Sequence, residues 1–534
     1  MRATMPRKHH RRPLAWALVG AAALVAVIAL AVPVTAPSPE LEVNSPEDGA
    51  VLDADAAEEA TFVVTASTAE AARETHLRVD GEDATGIAER NGRRWHLPLA
   101  GLDDGTRTVT AELTGGVGQR ASETRTVELD TEPPAIELDA PEPPVVADEP
   151  LVVTGRLDDP DAEVRAEGAE VERDGERFSV TYDAAPQGEL TIEAEDEAGN
   201  VAVASESVVT VPSRVEADDL RSVHVSFWAW TSESLREPVL DLADRGLINS
   251  VQLDLKDESG TVGYDSEVEF AHEYDAVDPI YELDEAVAEL HDRDVHIAGR
   301  IVVFRDPIVA ERAWEDGEEG LVVQHADGSL YEGYGGFTNF ASERIREYHH
   351  ELAEEAAQAG VDDILWDYVR RPDGDEEEFA FPGLDDDTTP SESIVEFIAE
   401  ADERLEPYGV GHGASVYGIA VDRPDEIAQD IGGIAEHVDY VAPMVYPSHW
   451  APGEYGIDDP DGQPYDIVRA SLEDFLEITG DRRARVVPWL QDFSMGQTYG
   501  PDEVRAQIDA AADLDVEEWI LWDAGVDYTE EALE

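Results

Sequence analysis

Two carboxylates stand directly after mainly apolar runs in the C-terminal part of the chain. Asp367 follows the run 363–366, and Asp492 follows the run 486–491. Hydrolysis of a glycosidic bond requires two carboxyl groups that flank the bond, one as nucleophile or base and one as proton donor. We therefore predict Asp367 as nucleophile or base and Asp492 as the acid, with Asp254 as a reserve carboxylate. The alternative for Asp367 is a residue that caps the following loop.

Lysine is almost absent from the chain. The 37 basic residues include only two lysines, Lys8 and Lys256. Arginine does not replace lysine at a specific site, because its guanidinium is planar and never neutral. Strand alternation places Lys256 on the same face as Asp254, where the pair would hold a hydroxyl-rich ligand or shift a neighbouring pKa. A structural ion pair is the alternative for Lys256.

Arg300 is a basic residue that lies inside the apolar run 299–304. A charge in such a run is costly without a carboxylate partner. We expect Arg300 to keep a catalytic carboxylate ionised, and a purely stabilising salt bridge is the alternative. Aromatic side chains follow the same kind of run and suit stacking on sugar rings. The predicted substrate-binding residues are Lys256, Arg300, Trp228, Tyr368, Tyr446, His449, Trp489 and Trp522.

Strand-like runs that alternate with helical segments must position these residues. Eight such strands within 220–534 predict a (β/α)8 barrel, in which active-site residues lie at the C-terminal ends of the strands. A doubly wound sheet is disfavoured because no glycine-rich phosphate loop follows the first strand. The predicted strands are 223–228, 250–256, 295–304, 363–369, 411–417, 438–446, 485–491 and 518–522.

The region before the barrel has a different pattern. Short alternating segments separated by Gly, Asp and Pro predict two all-β, immunoglobulin-like sandwiches, at 40–130 and 131–212. An internal repeat supports two modules, since the segment 104–112 is echoed by 187–195. We expect these modules to act as spacers or weak ligand-binding domains.

The first 36 residues have the form of an export signal. Basic residues in 1–13 precede an apolar run from Leu14 to Val34. This arrangement predicts a signal peptide or a signal anchor helix, and its length suffices to span a bilayer. We therefore expect a secreted or membrane-anchored, extracytoplasmic protein that meets the membrane only through this segment.

The charge balance is strongly acidic. The chain has 122 Asp and Glu against 37 Lys and Arg, a formal net charge of −85, and these acids are spread along the sequence. We interpret this as adaptation of a folded protein to concentrated salt. Nucleic acid is disfavoured as a partner because phosphate contacts need clustered basic residues. With no cysteine and no zinc-type histidine spacing, we predict no metal and no cofactor, and we expect a monomer.

Five strings of the chain carry a resemblance when they are taken in order: 253–257, 300–307, 366–372, 442–449 and 488–493. Together they resemble a family of bacterial extracellular glycoside hydrolase barrels of unassigned specificity. In this chain Trp366 and Arg371 replace the phenylalanines that usually flank the family's Asp-Tyr-Val-Arg segment, and Asp367 stays in place. The resemblance implies a barrel over roughly 222–525 that acts on polysaccharide.

Two other function classes remain open from the sequence. A non-catalytic glycan-binding or envelope scaffold protein would keep the aromatic side chains but would not need two close carboxylates. A metal-dependent carbohydrate deacetylase is disfavoured because it needs paired histidine ligands.

The net charge yields a first prediction. We expect the melting temperature to rise when dilute buffer is replaced by molar KCl, because the Debye length falls from about 30 Å at 0.01 M to about 3 Å at 1 M salt. Scanning calorimetry at increasing KCl measures the shift, and sucrose of equal osmolarity controls for solute exclusion. A melting temperature that is independent of KCl would contradict the prediction.

Overall fold

The computed structural model describes residues 38–115, 120–141, 143–147, 149–217 and 219–534. These residues form two compact units. The first ends at Glu132 and also includes Ala198–Asn200, and the second comprises Pro133–Glu197 and Val201–Glu534. The predicted signal or anchor segment, 1–36, lies outside the described residues. Within the described ranges no helix combines the length and apolar character needed to cross a bilayer.

The first unit contains two sheets around one apolar core. In Thr61–Ala66 every second side chain is buried, as expected for a strand with one face against a core. The first sheet contains Leu41–Ser45, Thr61–Ala66, Glu89–Asn91 and Arg94–Pro98. The second contains Ala50–Leu52, Thr75–Val79, Glu82–Asp83, Gly105–Thr114 and Arg120–Leu129. Two short helices, Ala54–Glu59 and Ala69–Arg73, complete it.

A second set of strands opens the second unit and has its own apolar core. Leu151–Leu157 is buried at alternate positions. The first sheet of this set contains Ile136–Leu138, Leu151–Leu157, Ala169–Asp174 and Arg177–Tyr182. The second contains Glu163–Ala166, Gly188–Glu195 and Val201–Val208. The third is the pair Val145–Val146 and Thr210–Val211. The predicted all-β N-terminal region is therefore confirmed. The immunoglobulin-like character of the two modules stays a prediction.

The rest of the second unit is a closed parallel barrel, numbered here from β1. The predicted barrel is confirmed: each strand pairs with the next, β8 pairs with β1, and β5 pairs with β6 to close the ring. The strands are β1 (Arg221–Val225), β2 (Ser250–Lys256), β3 (His296–Val302), β4 (Asp363–Asp367), β5 (Gly411–Tyr417), β6 (Tyr440–Met444), β7 (Arg485–Val486 and Trp489–Gln491) and β8 (Trp519–Trp522).

Helices follow the strands, and local sequence fixes their ends. Thr389 and Glu392 form a capping box at the start of α4, and Gly360 ends α3 in a left-handed conformation, as glycine does readily. The helices are α1 (Glu233–Asp244), α2 (Leu283–His291), α3 (Glu343–Ala359), α4 (Pro390–Leu405), α5 (Ile431–Ile434), α6 (Pro464–Thr479), α7 (Pro501–Ala512) and α8 (Glu530–Leu533). Phe227–Trp230, Glu269–Glu273 and Pro307–Glu315 are additional helices in the loops.

The barrel interior is chemically divided. Along β5 to β8 the inward side chains are mainly apolar or aromatic, and Tyr440, Ala442 and Trp489 belong to one interior cluster. Along β1 to β4 several buried side chains are polar or charged. These are Ser222, His224, Ser250, Gln252, Asp254, His296, Arg300, Asp363 and Asp367. Buried charges need partners, so this half of the barrel is where a constrained polar site is expected.

A β-bulge in β2 changes the direction of Lys256. The register with β3 shifts after Asp254, which pairs with Arg300, so that Lys256 pairs with Ile301. Lys256 therefore points to the helical layer. Its Nζ lies 3.0 Å from Asp306 and 2.7 Å from the Val302 carbonyl oxygen. The prediction that Lys256 shares a face with Asp254 is wrong, because simple alternation ignores the extra residue of a bulge.

Lys256→Met removes one member of this fully buried ion pair. We expect a loss of about 3–5 kcal/mol in the free energy of unfolding, because the Asp306 carboxylate is left buried and unpaired. Urea denaturation in molar KCl measures it. Adding Asp306→Asn should restore part of the loss, since Asn keeps the helix-capping oxygen. A loss no larger than that of Arg469→Met, which breaks an exposed pair with Glu473, would contradict this account.

Candidate active site

One guanidinium organises the polar half of the barrel. Arg300 of β3 donates from Nε to Asp367 at 2.8 Å and from Nη1 to Asp254 at 2.8 Å, and its Nη2 contacts Glu258. Its side chain is only 6% exposed. Burial alone would lower the pKa of Arg300, but Glu258, Asp367 and Asp254 raise it well above its ordinary value. Arg300 is therefore a permanent cation shared by three carboxylates.

Asp254 supports Arg300 from inside the barrel. It is buried and also contacts Nε2 of His224 at 3.1 Å. Burial would raise the pKa of Asp254, but His224 and Arg300 together lower it below its usual value. Asp254 does not line the cavity described below, so it orients Arg300 rather than meeting a ligand.

Asp367 ends β4 and is fixed at both oxygens. Its Oδ2 accepts from Arg300, and its Oδ1 accepts from the backbone N–H of Tyr368 at 2.7 Å. Tyr368 has a φ of 48°, in the left-handed region that non-glycine residues rarely adopt. Such strain persists only where surrounding contacts enforce it, and it is concentrated at functional sites. The turn after β4 thus directs an N–H at the Asp367 carboxylate.

Glu258 lies on the loop after β2 and completes the cluster. Its side chain is 39% exposed, and it binds the same Nη2 atom of Arg300 that contacts Asp367. Burial would raise the pKa of Glu258, but the charge of Arg300 lowers it below its usual value. Two carboxylates therefore face each other across one guanidinium nitrogen.

A cavity of about 360 Å³ opens above this cluster at the C-terminal ends of the strands. Three charged side chains form one side, and aromatic side chains form most of the rest. The lining residues are Glu258, Arg300, Asp367, Tyr368, Tyr417, Gly418, Ile419, Met444, Tyr446, His449, Trp450, Trp489 and Trp522. Burial raises the pKa of Tyr446 well above its ordinary value and lowers that of His449. The cavity combines a few convergent charges with apolar walls, as ligand sites do.

Most of the predicted site residues meet in this cavity. The cavity brings together Asp367, Arg300, Tyr368, Tyr446, His449, Trp489 and Trp522. Lys256 and Trp228 do not line it. Lys256 points to the helical layer, where its Nζ lies 5.7 Å from the ring centroid of Tyr348 of α3. Trp228 lies in the helix Phe227–Trp230 with 58% of its surface exposed. These two residues are therefore placed outside the cavity, contrary to their prediction as direct contacts.

Asp492 also lies outside the cavity lining. Both of its oxygens are occupied by one residue, since Oδ1 accepts from the Thr529 hydroxyl at 2.6 Å and Oδ2 from its backbone N–H at 2.7 Å. Burial raises the pKa of Asp492 to about 6. Thr529 is the residue before α8, so Asp492 fastens the C-terminal segment. This corrects its prediction as the catalytic acid.

Six cavity residues were not among the predicted site residues, and Glu258 and Tyr417 are the two that bear on the chemistry and binding proposed below. Glu258 lies two residues after the end of β2. Because the chain has 122 acidic residues, being acidic does not by itself mark Glu258 as a site residue. Tyr417 is the last residue of β5, and its position at a strand end was the available clue. Within the described residues, no group of three or more His, Cys, Asp or Glu side chains has an arrangement suited to a metal ion.

Comparison with known proteins identifies the family. The sequence profile described as "Putative glycosyl hydrolase domain" matches residues 222–528. This match spans more than half of the chain, and the chain belongs to this glycosyl hydrolase family. No curated protein matches the sequence.

Several solved structures are similar to part of this chain. A hypothetical protein from Ruminiclostridium thermocellum is 30% identical over 36% of this chain and 96% of its own, with a TM-score of 0.32. The PgaB (BpsB) glycoside hydrolase domain from Bordetella bronchiseptica is 14% identical over 58% of this chain and 95% of its own, with a TM-score of 0.42. The spore cortex-lytic enzyme SleL from Bacillus megaterium is 12% identical over 61% of this chain and 75% of its own, with a TM-score of 0.36.

Arg300→Met tests the electrostatics of the site. Asp254 and Glu258 have lowered pKa values in the folded protein, so their ionised forms stabilise the fold above their ordinary pKa, and this contribution is lost as the pH falls through the folded pKa. Without the guanidinium, clustered buried carboxylates take raised pKa values. We therefore expect the destabilisation by Arg300→Met to be larger at about pH 8 than at about pH 5.

Urea denaturation in molar KCl at both pH values measures this difference. Arg485→Met is the matched control, because Arg485 pairs with a single carboxylate, Glu518. An equal destabilisation by Arg300→Met at the two pH values would show that Asp254 and Glu258 are not held ionised by Arg300.

Proposed function

We propose that the barrel hydrolyses glycosidic bonds of an extracellular or cell-envelope polysaccharide, with Asp367 as nucleophile and Glu258 as proton donor. The observation that carries the proposal is the pair of carboxylates held on one nitrogen of Arg300 at the floor of an aromatic-lined cavity. Membership of the glycosyl hydrolase family supports the reaction class. Asp367 keeps its predicted role, and Glu258 takes the place of Asp492.

Asp367 suits the nucleophile because its carboxylate is fixed in position. Two donors, Arg300 and the Tyr368 N–H, hold its oxygens, so little reorganisation is needed before attack on an anomeric carbon. The carbon–oxygen bond to the leaving sugar breaks as the bond to the Asp367 oxygen forms. Water later replaces Asp367 at the same carbon.

Glu258 suits the proton donor because it is the more exposed carboxylate and lies on a loop. In the free protein its negative charge faces Arg300. A bound sugar would exclude water from Glu258 while the contact with Arg300 is kept, and this desolvation raises the pKa of a carboxylate. Glu258 then gives its proton to the leaving oxygen and accepts one from the water of the second step.

Retention of anomeric configuration follows from the spacing. Retaining glycosidases hold their carboxyl groups about 5 Å apart, and inverting enzymes hold them about 6.5–9.5 Å apart to admit a water molecule. Two carboxylates that touch the same Nη2 atom of Arg300 have the short spacing. We therefore propose a covalent glycosyl-enzyme intermediate on Asp367.

We also propose an extracytoplasmic, salt-adapted location for the enzyme. The basic residues of 1–13, the apolar run 14–34 and the net charge of −85 support it. The polysaccharide substrate would then be met outside the membrane, and a monomer suffices because every proposed contact comes from one barrel. Fractionation of the producing cells, with detection of the barrel in medium, membrane and cytoplasm, tests this part separately.

Substitutions of the three acids test the assignment. Asp367→Asn and Glu258→Gln should each lower kcat by about 10²–10⁴-fold, the usual contribution of such groups, while Asp492→Asn should keep kcat and lower the melting temperature. Release of reducing ends is measured in molar KCl on a panel of chitin, partly de-N-acetylated chitin, cellulose, starch and envelope extracts. Circular dichroism confirms that each variant is folded.

The pH profile separates the roles of the acids. Glu258→Gln should remove the alkaline limb of kcat, since that limb reports loss of the donor's proton. Full activity of Asp367→Asn would reject the assignment. Binding of a panel polysaccharide by the wild type without release of reducing ends would favour the alternative, a glycan-binding scaffold protein.

A further inference from the structure

Tyr334 is an exposed aromatic side chain beside the cavity. It lies in the loop between β3 and α3, and 46% of its surface is exposed. The neighbouring strand β4 supplies Tyr368 to the cavity, and Phe337 links the two rings with centroid distances of 6.2 Å to Tyr334 and 6.5 Å to Tyr368. Through the buried ring of Phe337, aromatic contacts therefore continue from the cavity wall to an exposed ring.

The backbone holds Tyr334 in an unfavourable conformation. Its φ is 55°, in the left-handed region, although glycines stand on both sides at Gly333, Gly335 and Gly336. A glycine at the strained position would relieve the cost, yet a tyrosine occupies it. A strained residue at a cavity rim points to a function for its side chain.

Arg370 ties Tyr334 to the cavity rings. It is fully buried, and its Cζ lies 4.4 Å from the ring centroid of Tyr417, 5.0 Å from that of Tyr368 and 5.7 Å from that of Tyr334. Its Nη2 also donates to the Tyr417 hydroxyl at 2.7 Å. Its nearest carboxylate, on Asp373, is 4.0 Å away. A buried arginine surrounded by rings fixes their positions through cation–π contacts.

Arg305 fixes the same rings from a second point. Its Nη1 donates to the Tyr368 hydroxyl at 2.9 Å, and its Nε donates to the Tyr334 carbonyl at 3.2 Å. Its Cζ lies 5.1 Å from the Tyr368 centroid and 5.7 Å from that of Tyr334. Arg370 thus contacts all three tyrosine rings, and Arg305 contacts two of them. The set extends from Tyr417 and Tyr368, which line the cavity, to the exposed ring of Tyr334.

We infer that Tyr417, Tyr368 and Tyr334 form a tyrosine track that binds a glycan chain leaving the cavity over the loop after β3. The substrate is then a chain longer than the cavity accommodates, and the barrel cuts within polymers in preference to short oligosaccharides. The inference deepens the proposed function and rests on it, because cutting within a polymer requires the hydrolysis proposed for the cavity. Rigid, amphipathic rings bind such chains at low entropic cost because they are already ordered.

The test compares chain lengths. Trisaccharides and long oligosaccharides are prepared by partial hydrolysis of the panel polysaccharide that the wild type cleaves. Tyr334→Ala should lower kcat/KM for the long chains about 3- to 10-fold, as expected for loss of one ring contact, and leave the trisaccharide unchanged. Tyr334→Phe should behave as wild type, because it keeps the ring.

Met495→Ala is the matched control for position. Met495 is 71% exposed on the loop after β7, on a different part of the rim, and its loss should not affect either substrate. An equal effect of Tyr334→Ala on short and long chains, or no effect on either, overturns the tyrosine track while the proposed function stands.

Binding measurements separate this inference from the proposed function. If the wild type releases no product, calorimetric titration of the wild type with long oligosaccharides of every panel polysaccharide replaces the kinetics. Length-dependent binding that Tyr334→Ala weakens would retain the track and reject hydrolysis. Absence of length-dependent binding to all of them would overturn both.

Discussion

The charge of Arg300 is the constraint on which the active site depends. A guanidinium with 6% of its side chain exposed is costly to bury unless its charge is compensated, and three carboxylates compensate the charge of Arg300. Asp254, which His224 contacts in turn, holds it from inside the barrel, and Asp367 and Glu258 hold it from the cavity. The same contacts that satisfy the buried cation therefore set the distance between the two carboxylates proposed for catalysis.

The division of the barrel interior follows from that constraint. Along β1 to β4, the side chains of His224, Asp254, Arg300 and Asp367 form a connected network. The mainly apolar half along β5 to β8 provides packing and the aromatic cavity wall. Bond cleavage needs fixed charges, and sugar binding needs flat rings that are ordered beforehand. Arg300 holds the charges for bond cleavage in place. Arg370 orders the rings of Tyr368 and Tyr417 for sugar binding, although Arg370 itself does not line the cavity.

The sequence predicted the barrel well because apolar runs of strand length recur with helical segments between them. Asp367 and Arg300 were predictable, since a charge within or after a buried strand must have a partner. Lys256 was placed on the wrong face because a bulge is not visible in an alternating pattern. The role of Asp492 depended on Thr529, 37 residues further along the chain, and Glu258 was hidden among the many surface acids. Such long-range contacts and loop positions are set by tertiary structure.

The central claim is that Asp367 and Glu258 act as a closely spaced pair across Arg300. Proton NMR of the first product formed from a panel polysaccharide in molar KCl tests it most directly, because the anomeric signal of the new reducing end appears before mutarotation. The short spacing predicts that this signal has the same configuration as the bond that was cleaved. An inverted anomer would contradict the account, because it would require a water molecule between carboxylates that the structure holds on one nitrogen atom.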